Sequence, residues 1–115
     1  MSEWTGEVRD SDEDVPILRS EDRFNGAVWG VRSDTIQIHG HTVVRDLMVH
    51  PGAVGVLVLD DDDKVLLIRQ YRHPLGQFFF EPPAGLLDKP DEDPLVAAQR
   101  ELAEEAGLAA SSWHV

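Results

Sequence analysis

Between residues 15 and 50, apolar and β-branched residues come in short runs, VPILR, AVWGVR, TIQIHG and TVVRDLMV, interrupted by Asn25-Gly26, Ser33-Asp34 and Gly40. Short β-rich runs bounded by turn formers predict a small antiparallel meander of three or four strands. So small a sheet leaves edges and one apolar face open, so it is expected to pack on another domain or subunit. Pro51-Gly52 marks the expected boundary. Beyond it, AVGVLVL (53–59) and KVLLIRQ (64–70) flank the polar connector 60–63, which predicts an antiparallel hairpin. Their nearly continuous apolar character predicts burial on both faces. The aromatic run 78–80, read with Tyr71 as core, leads into Glu81-Pro82-Pro83-Ala84-Gly85, where the prolines end a strand and the glycine permits a sharp loop.

A helix is predicted over 94–106. Asp93 suits the N-cap, Pro94 the first helical position, and Gly107 followed by Leu108 a left-handed stop. Leu95, Ala98, Leu102 and Ala106 then form one apolar stripe. Glu101, Glu104 and Glu105 share another arc of about 100°. The Glu101/Glu105 pair at i,i+4 costs an isolated helix about 0.2–0.5 kcal/mol, and acidic groups near a helix C-terminus oppose its dipole. Helix stability alone therefore does not select this arrangement. A divalent cation would, since Mg²⁺ takes oxygen ligands; a solvated acidic face is the other reading of three glutamates.

Composition narrows the chemistry. A chain of 115 residues is about one small domain. Twenty-two acidic against ten basic residues give a formal charge of -12, which repels nucleic acid and anionic membranes, so neither is an expected partner. An anionic substrate would need a bound cation. The absence of cysteine excludes disulfides, thiolate catalysis and Cys-based zinc sites. The longest apolar stretch, 53–59, is too short to span a bilayer. Residues 1–14 are acidic, are expected to form a mobile tail and lack the regions of a secretory signal, so a cytoplasmic location is expected. His39-x-His41 straddles a glycine turn without further ligands, and residues 60–63 lack the glycine and glutamate of a calcium loop.

From Gly85, six residues lead to Glu92 and seven more to Arg100-Glu101-Leu102-x-Glu104-Glu105-x-Gly107-Leu108. This resembles the Nudix box of the Nudix hydrolase family. The usual box has five residues between the glycine and the first glutamate, a spacing that Asp91 rather than Glu92 would satisfy here. The extra residue falls before the helix and leaves the helical spacing intact. The resemblance implies an α/β fold, the Nudix α/β/α sandwich, preceded here by the β meander. It implies Glu101 and Glu105 as principal metal ligands, with Glu104 a further ligand or water-positioning group and the Ala84 carbonyl a backbone ligand. Glu104, Glu105 and Arg100 carry the catalytic roles, Arg100 by orienting a glutamate; Arg100 is also spaced for an i,i+4 pair with Glu104. Glu92 is implied as a support of loop and helix. The implied cofactor is Mg²⁺, with Mn²⁺ as the alternative.

Residues 16–115, including HPGAVGVLVL, LLIRQYRHPLG and FEPPAGLLD, resemble the ADP-ribose pyrophosphatase branch, apart from Pro82, where an aliphatic residue is commoner. The implied reaction converts ADP-ribose, or a related nucleoside diphosphate sugar, and water to AMP and ribose 5-phosphate. Arg69, Arg72 and Glu81 are the implied substrate contacts, the arginines as phosphate clamps or else as rim charges. Trp29 and Phe24 are candidates for adenine stacking or for packing. The family's β region implies a homodimer. Its later strands, second helix and late-loop glutamate follow the box, so they are expected to lie beyond Val115, leaving residues 51–115 as a truncated and poorly stable domain. A non-catalytic nucleotide-binding or dimerisation remnant, or a product without function, are the alternatives.

Overall fold

Three antiparallel strands, β1 (Ile17–Asn25), β2 (Gly30–Ile38) and β3 (His41–Val49), form a sheet in that order in the computed structural model, which describes residues 5–115. His39 and Gly40, at φ 49° and 76°, turn β2 into β3 with the two positive φ angles that match strand twist in a two-residue hairpin. Ser33 and Asp34, expected to be a turn, lie instead in the middle of β2, and both are buried. Cross-strand partners explain why a polar pair sits there. Ser33 Oγ accepts from Arg23 Nε at 3.0 Å and donates to Asp46 Oδ1. Asp34 accepts from Ser20 Oγ at 2.7 Å and from Arg32 Nη2 at 3.0 Å. Burial of a polar group costs little once it is so paired, and the strand runs on through it. Residues 5–14 carry neither helix nor strand and are exposed, while the first four of the expected tail lie outside the described residues.

The chain divides into two compact units, Met1–His50 and Pro51–Val115. In the second, β4 (Ala53–Gly55) pairs with β7 (Ala84–Leu86), and β5 (Ile68–Arg72) pairs with β6 (Gln77–Glu81) across a 3₁₀ turn. The expected 53–70 hairpin survives at its tip, with a bridge between Leu59 and Val65 and a bond from Leu66 N to Val58 O of 3.1 Å. Asp60 Oδ1 closes the connector by accepting from the amides of Asp62 and Lys64, each at 2.9 Å. Its base opens because β4 takes the distant β7 as partner.

Helix α1 (Pro94–Ala106) has the predicted limits. Asp93 Oδ1 accepts from Leu95 N at 2.8 Å, and Gly107, at φ 65°, donates its N–H to Ala103 O. Leu102, 1% exposed, packs with Ala98 and Val56, and Val54, Val58, Leu66, Ala106 and Trp113 surround them. Ala97 is also buried, whereas Leu95 at the end of the expected stripe is half-buried. Burial on both faces of 53–70 is not found: Val54, Val56 and Val58 turn inward, while Leu57 (68% exposed) and Leu59 turn outward. Strand alternation sends successive side chains to opposite faces, and α1 covers one. Tyr71, Phe78 and Phe80, expected in the core, are exposed for the same reason. Among the described residues no helix is long and apolar enough to cross a membrane.

Candidate active site

Helix α1 packs on β7 and β4 and carries its carboxylates to the Ala84-Gly85 segment. Gly85 is the contact point. A β-carbon there would overlap Glu101 Cδ, Cγ and Oε1, so the glycine serves close approach by a side chain. That differs from the sharp loop expected of it: Gly85 lies inside β7 and is not among the residues with positive φ. Glu105 reaches the neighbouring residue, its Oε2 accepting from Ala84 N at 3.1 Å. Ala84, Gly85, Glu101 and Glu105 are thereby brought together.

Arg100 organises the other side. Its Nε and Nη2 donate to the two oxygens of Glu92 at 3.1 and 2.8 Å, a bidentate grip across the loop that precedes α1. Its Nη1 donates to Glu101 Oε1 at 2.7 Å and to Glu104 Oε2 at 3.2 Å. The orienting contact and the i,i+4 pair thus coexist. The Glu92 hydrogen bond, more than any other contact, raises the Arg100 pKa above its ordinary value, and the same bond lowers that of Glu92. Asp91 is exposed at φ 61°, so the residue joined to the helix is Glu92.

On β5 and β6 the expected trio separates. Arg72 Nε donates to Glu81 Oε1 and Oε2 at 3.0 and 3.1 Å, which raises the arginine's pKa and lowers the glutamate's. Pairing of Ile68 with Glu81 and Arg72 with Gln77 puts Gln70, Arg72, Phe79 and Glu81 on one face. Arg69 lies on the other, its guanidinium 4.0 Å from the centre of the Phe78 ring, a cation–π contact. Trp29 lies between β1 and β2 against Phe24, ring centres 5.6 Å apart. Gln70 escapes the sequence reading. Its Nε2 donates to Glu105 Oε1 at 3.4 Å, and its i,i+2 spacing from Arg72 on a strand was the available signal.

The mixed α/β unit with its glutamate-bearing helix laid on a glycine strand falls within residues 49–115, which match the NUDIX domain model. The chain belongs to the Nudix family. It is 40% identical over 106 residues to the ADP-ribose pyrophosphatase of Mycobacterium tuberculosis, covering 91% of this chain and 51% of that protein. It is 41% identical over 91 residues to the methanol dehydrogenase activator of Bacillus methanolicus, covering 78% and 49%. The crystal structure of an ADP compounds hydrolase matches with a TM-score of 0.71 at 30% identity, covering 90% of this chain and 57% of that one. The fold is the Nudix fold, and the chain spans about half the length of the two relatives.

Among the described residues no three acidic or histidine side chains converge on one point. Glu101 and Glu104 turn to Arg100, and Glu105 to the Ala84 amide. The donor set itself, three carboxylates on one helix and the adjoining Ala84 carbonyl, consists of hard oxygens and suits Mg²⁺ or Mn²⁺. Arg100 occupies one oxygen each of Glu101 and Glu104, so the second oxygen of each could serve such an ion while Arg100 stays in place.

Proposed function

We propose that this chain belongs to a divalent-metal-dependent hydrolase that splits the diphosphate of ADP-ribose, or of a related nucleoside diphosphate sugar, into AMP and ribose 5-phosphate. Water supplies the oxygen of a new P–O bond as the bridging P–O bond breaks. The observation that carries the reading is the junction of α1 with β7, where Glu101 lies against Gly85 and Glu105 binds Ala84 N. Glu101, Glu104, Glu105 and the Ala84 carbonyl would hold Mg²⁺ or Mn²⁺. When bound, such an ion lowers the pKa of its water and offsets diphosphate charge. Arg100, anchored by Glu92, orients Glu101 and Glu104. Arg72, released from Glu81, binds phosphate oxygens; Glu81 then accepts from substrate hydroxyls. Arg69 and Trp29 serve substrate binding, Arg69 from the opposite face of β5. The similarity to an ADP-ribose pyrophosphatase and an ADP compounds hydrolase supports this substrate class.

The same reading makes the protein a cytoplasmic homodimer. The exposed Phe24, Trp29, Val44 and Met48 of the first unit would supply its contact. The test is hydrolysis of ADP-ribose by the purified protein with and without Mg²⁺, followed as AMP release. Glu105→Gln is expected to abolish turnover and leave folding intact. Undiminished turnover in that variant sinks the proposal, and ADP-ribose binding without any turnover in the wild type favours the non-catalytic reading.

A further inference from the structure

Gln70 stands between a cation and an anion. Its Oε1 accepts from Arg72 Nη2 at 2.8 Å, and its Nε2 donates to Glu105 Oε1 at 3.4 Å. The two contacts fix the sense of the amide, because a guanidinium only donates and a carboxylate only accepts. A carboxylate at this position would repel Glu105, and an apolar side chain would serve neither partner. The bonds continue in both directions. Arg72 holds Glu81 on β6, and the second oxygen of Glu105 accepts from Ala84 N on β7. Glu81, Arg72, Gln70, Glu105 and Ala84 therefore form one hydrogen-bonded line across β6, β5, α1 and β7. Arg72 also feels this line electrostatically: its proton is held chiefly by Glu81 and in smaller part by the charge of Glu105.

We propose that Gln70 is a positioning residue that fixes the Glu105 carboxylate and couples it to Arg72. The inference rests on the hydrolase reading above, which places Glu105 at the metal and Arg72 at the phosphates. Gln70 is not itself one of the residues assigned to the metal or to the phosphates. It acts through Glu105 by holding Oε1 while the Ala84 amide holds Oε2, so the carboxylate meets a cation already oriented. Arg72 reports phosphate binding along the same line: when it leaves Glu81, its pull on Gln70 Oε1 changes, and so does the donor that Gln70 offers to Glu105.

The test uses Gln70→Met, which keeps the side chain's length and removes both polar contacts, in the full chain. Mn²⁺ binding is measured by electron paramagnetic resonance for the wild type, Gln70→Met, Glu105→Gln and the double variant, beside ADP-ribose turnover. Loss of an outer hydrogen-bond partner is expected to weaken Mn²⁺ binding about tenfold. In the Glu105→Gln background the same change is expected to add less than about twofold, the scatter of independent sites. Wild-type Mn²⁺ affinity in Gln70→Met, or an equal loss in both backgrounds, overturns the inference while leaving the hydrolase reading in place. A wild type that binds Mn²⁺ without hydrolysing ADP-ribose removes the hydrolase reading and leaves the positioning role to the same cycle. A wild type that does neither removes both. Should Gln70→Met fail to fold, Gln70→Asn, one methylene too short to bridge, carries the same cycle.

Discussion

Gly85 lies so close to Glu101 that the side chain of the helix residue occupies the space where a β-carbon of the strand residue would be. The overlap is with a flexible side chain, so a methyl group there moves Glu101 rather than the backbone. Gly85→Ala is therefore expected to cost at least about 1 kcal/mol, the scale of an off-rotamer side chain, because Cγ as well as the tip of Glu101 must move and its bond to Arg100 is lost. Its larger effect falls on Glu101, displaced from Arg100. ADP-ribose turnover should drop at least about tenfold to a hundredfold. Parallel melting curves and rate measurements check this; a large loss of stability with turnover per folded molecule unchanged would contradict it.

Arg100 satisfies Glu92 with two nitrogens and uses the third for Glu101 and Glu104. A lysine ammonium has no planar fork and cannot serve three carboxylates in this geometry. Arg100→Lys is expected to lower the melting temperature and to reduce turnover by about tenfold to a hundredfold, the range for a residue that orients a metal ligand. Glu92→Gln, which leaves Glu101 and Glu104 in place, should lower stability with a smaller effect on rate. Equal rate losses in the two variants would show that Arg100 acts only as a structural tie.

The limits of α1 are legible because they rest on local chemistry: Asp93 caps, Pro94 starts and Gly107 stops the helix whatever lies around it. The Glu101 and Glu105 cluster is legible for the same reason. What the sequence hides depends on partners. Ser33-Asp34 reads as a turn until Arg23, Asp46, Ser20 and Arg32 are seen to satisfy it inside β2. β4 leaves its neighbour in sequence for β7, a pairing no local signal marks. Arg69 and Arg72 look like one clamp in a linear sequence, but their odd spacing puts them on opposite faces once β5 is a strand. Gln70 is neutral among charged residues, and its value comes from residues 2 and 35 positions away.

The buried Asp34 makes the first unit sensitive to acid. Its carboxyl lies below its ordinary value of 3.8, chiefly through the Ser20 hydroxyl and then through Arg32. A carboxylate with a depressed native pKa contributes stability that is complete above the unfolded value and is lost as pH falls through the native one. The contribution is therefore present at neutral pH and declines below about pH 3.8. Ser20→Ala should shrink it, lowering stability at pH 7 and narrowing the gap to the wild type as the pH approaches 2. Urea titrations of both proteins at several pH values, read by circular dichroism, provide the measurement. A constant difference between them down to pH 2 would assign the Ser20 effect to packing.

Leu102 carries the core of the second unit, being 1% exposed and packed against Val56 and Ala98 beneath α1. Truncating a fully buried leucine to alanine costs about 2–5 kcal/mol, the upper values belonging to sites that cannot collapse. Here Val56 directly follows β4 with its amide tied to Pro83 O at 2.8 Å, and Ala98 sits on the same rigid helix, so neither can move far to fill the space. Leu102→Ala is expected to fall in that range, a large share of the stability of a small domain. Glu101 and Glu105 flank the same turn and ride on this contact, so turnover should fall with the folded fraction and be restored by Leu102→Met, which refills most of the volume. Full stability in Leu102→Ala, measured by denaturant unfolding, would mean that α1 is held by its Arg100 and Glu105 bonds instead of by its apolar side.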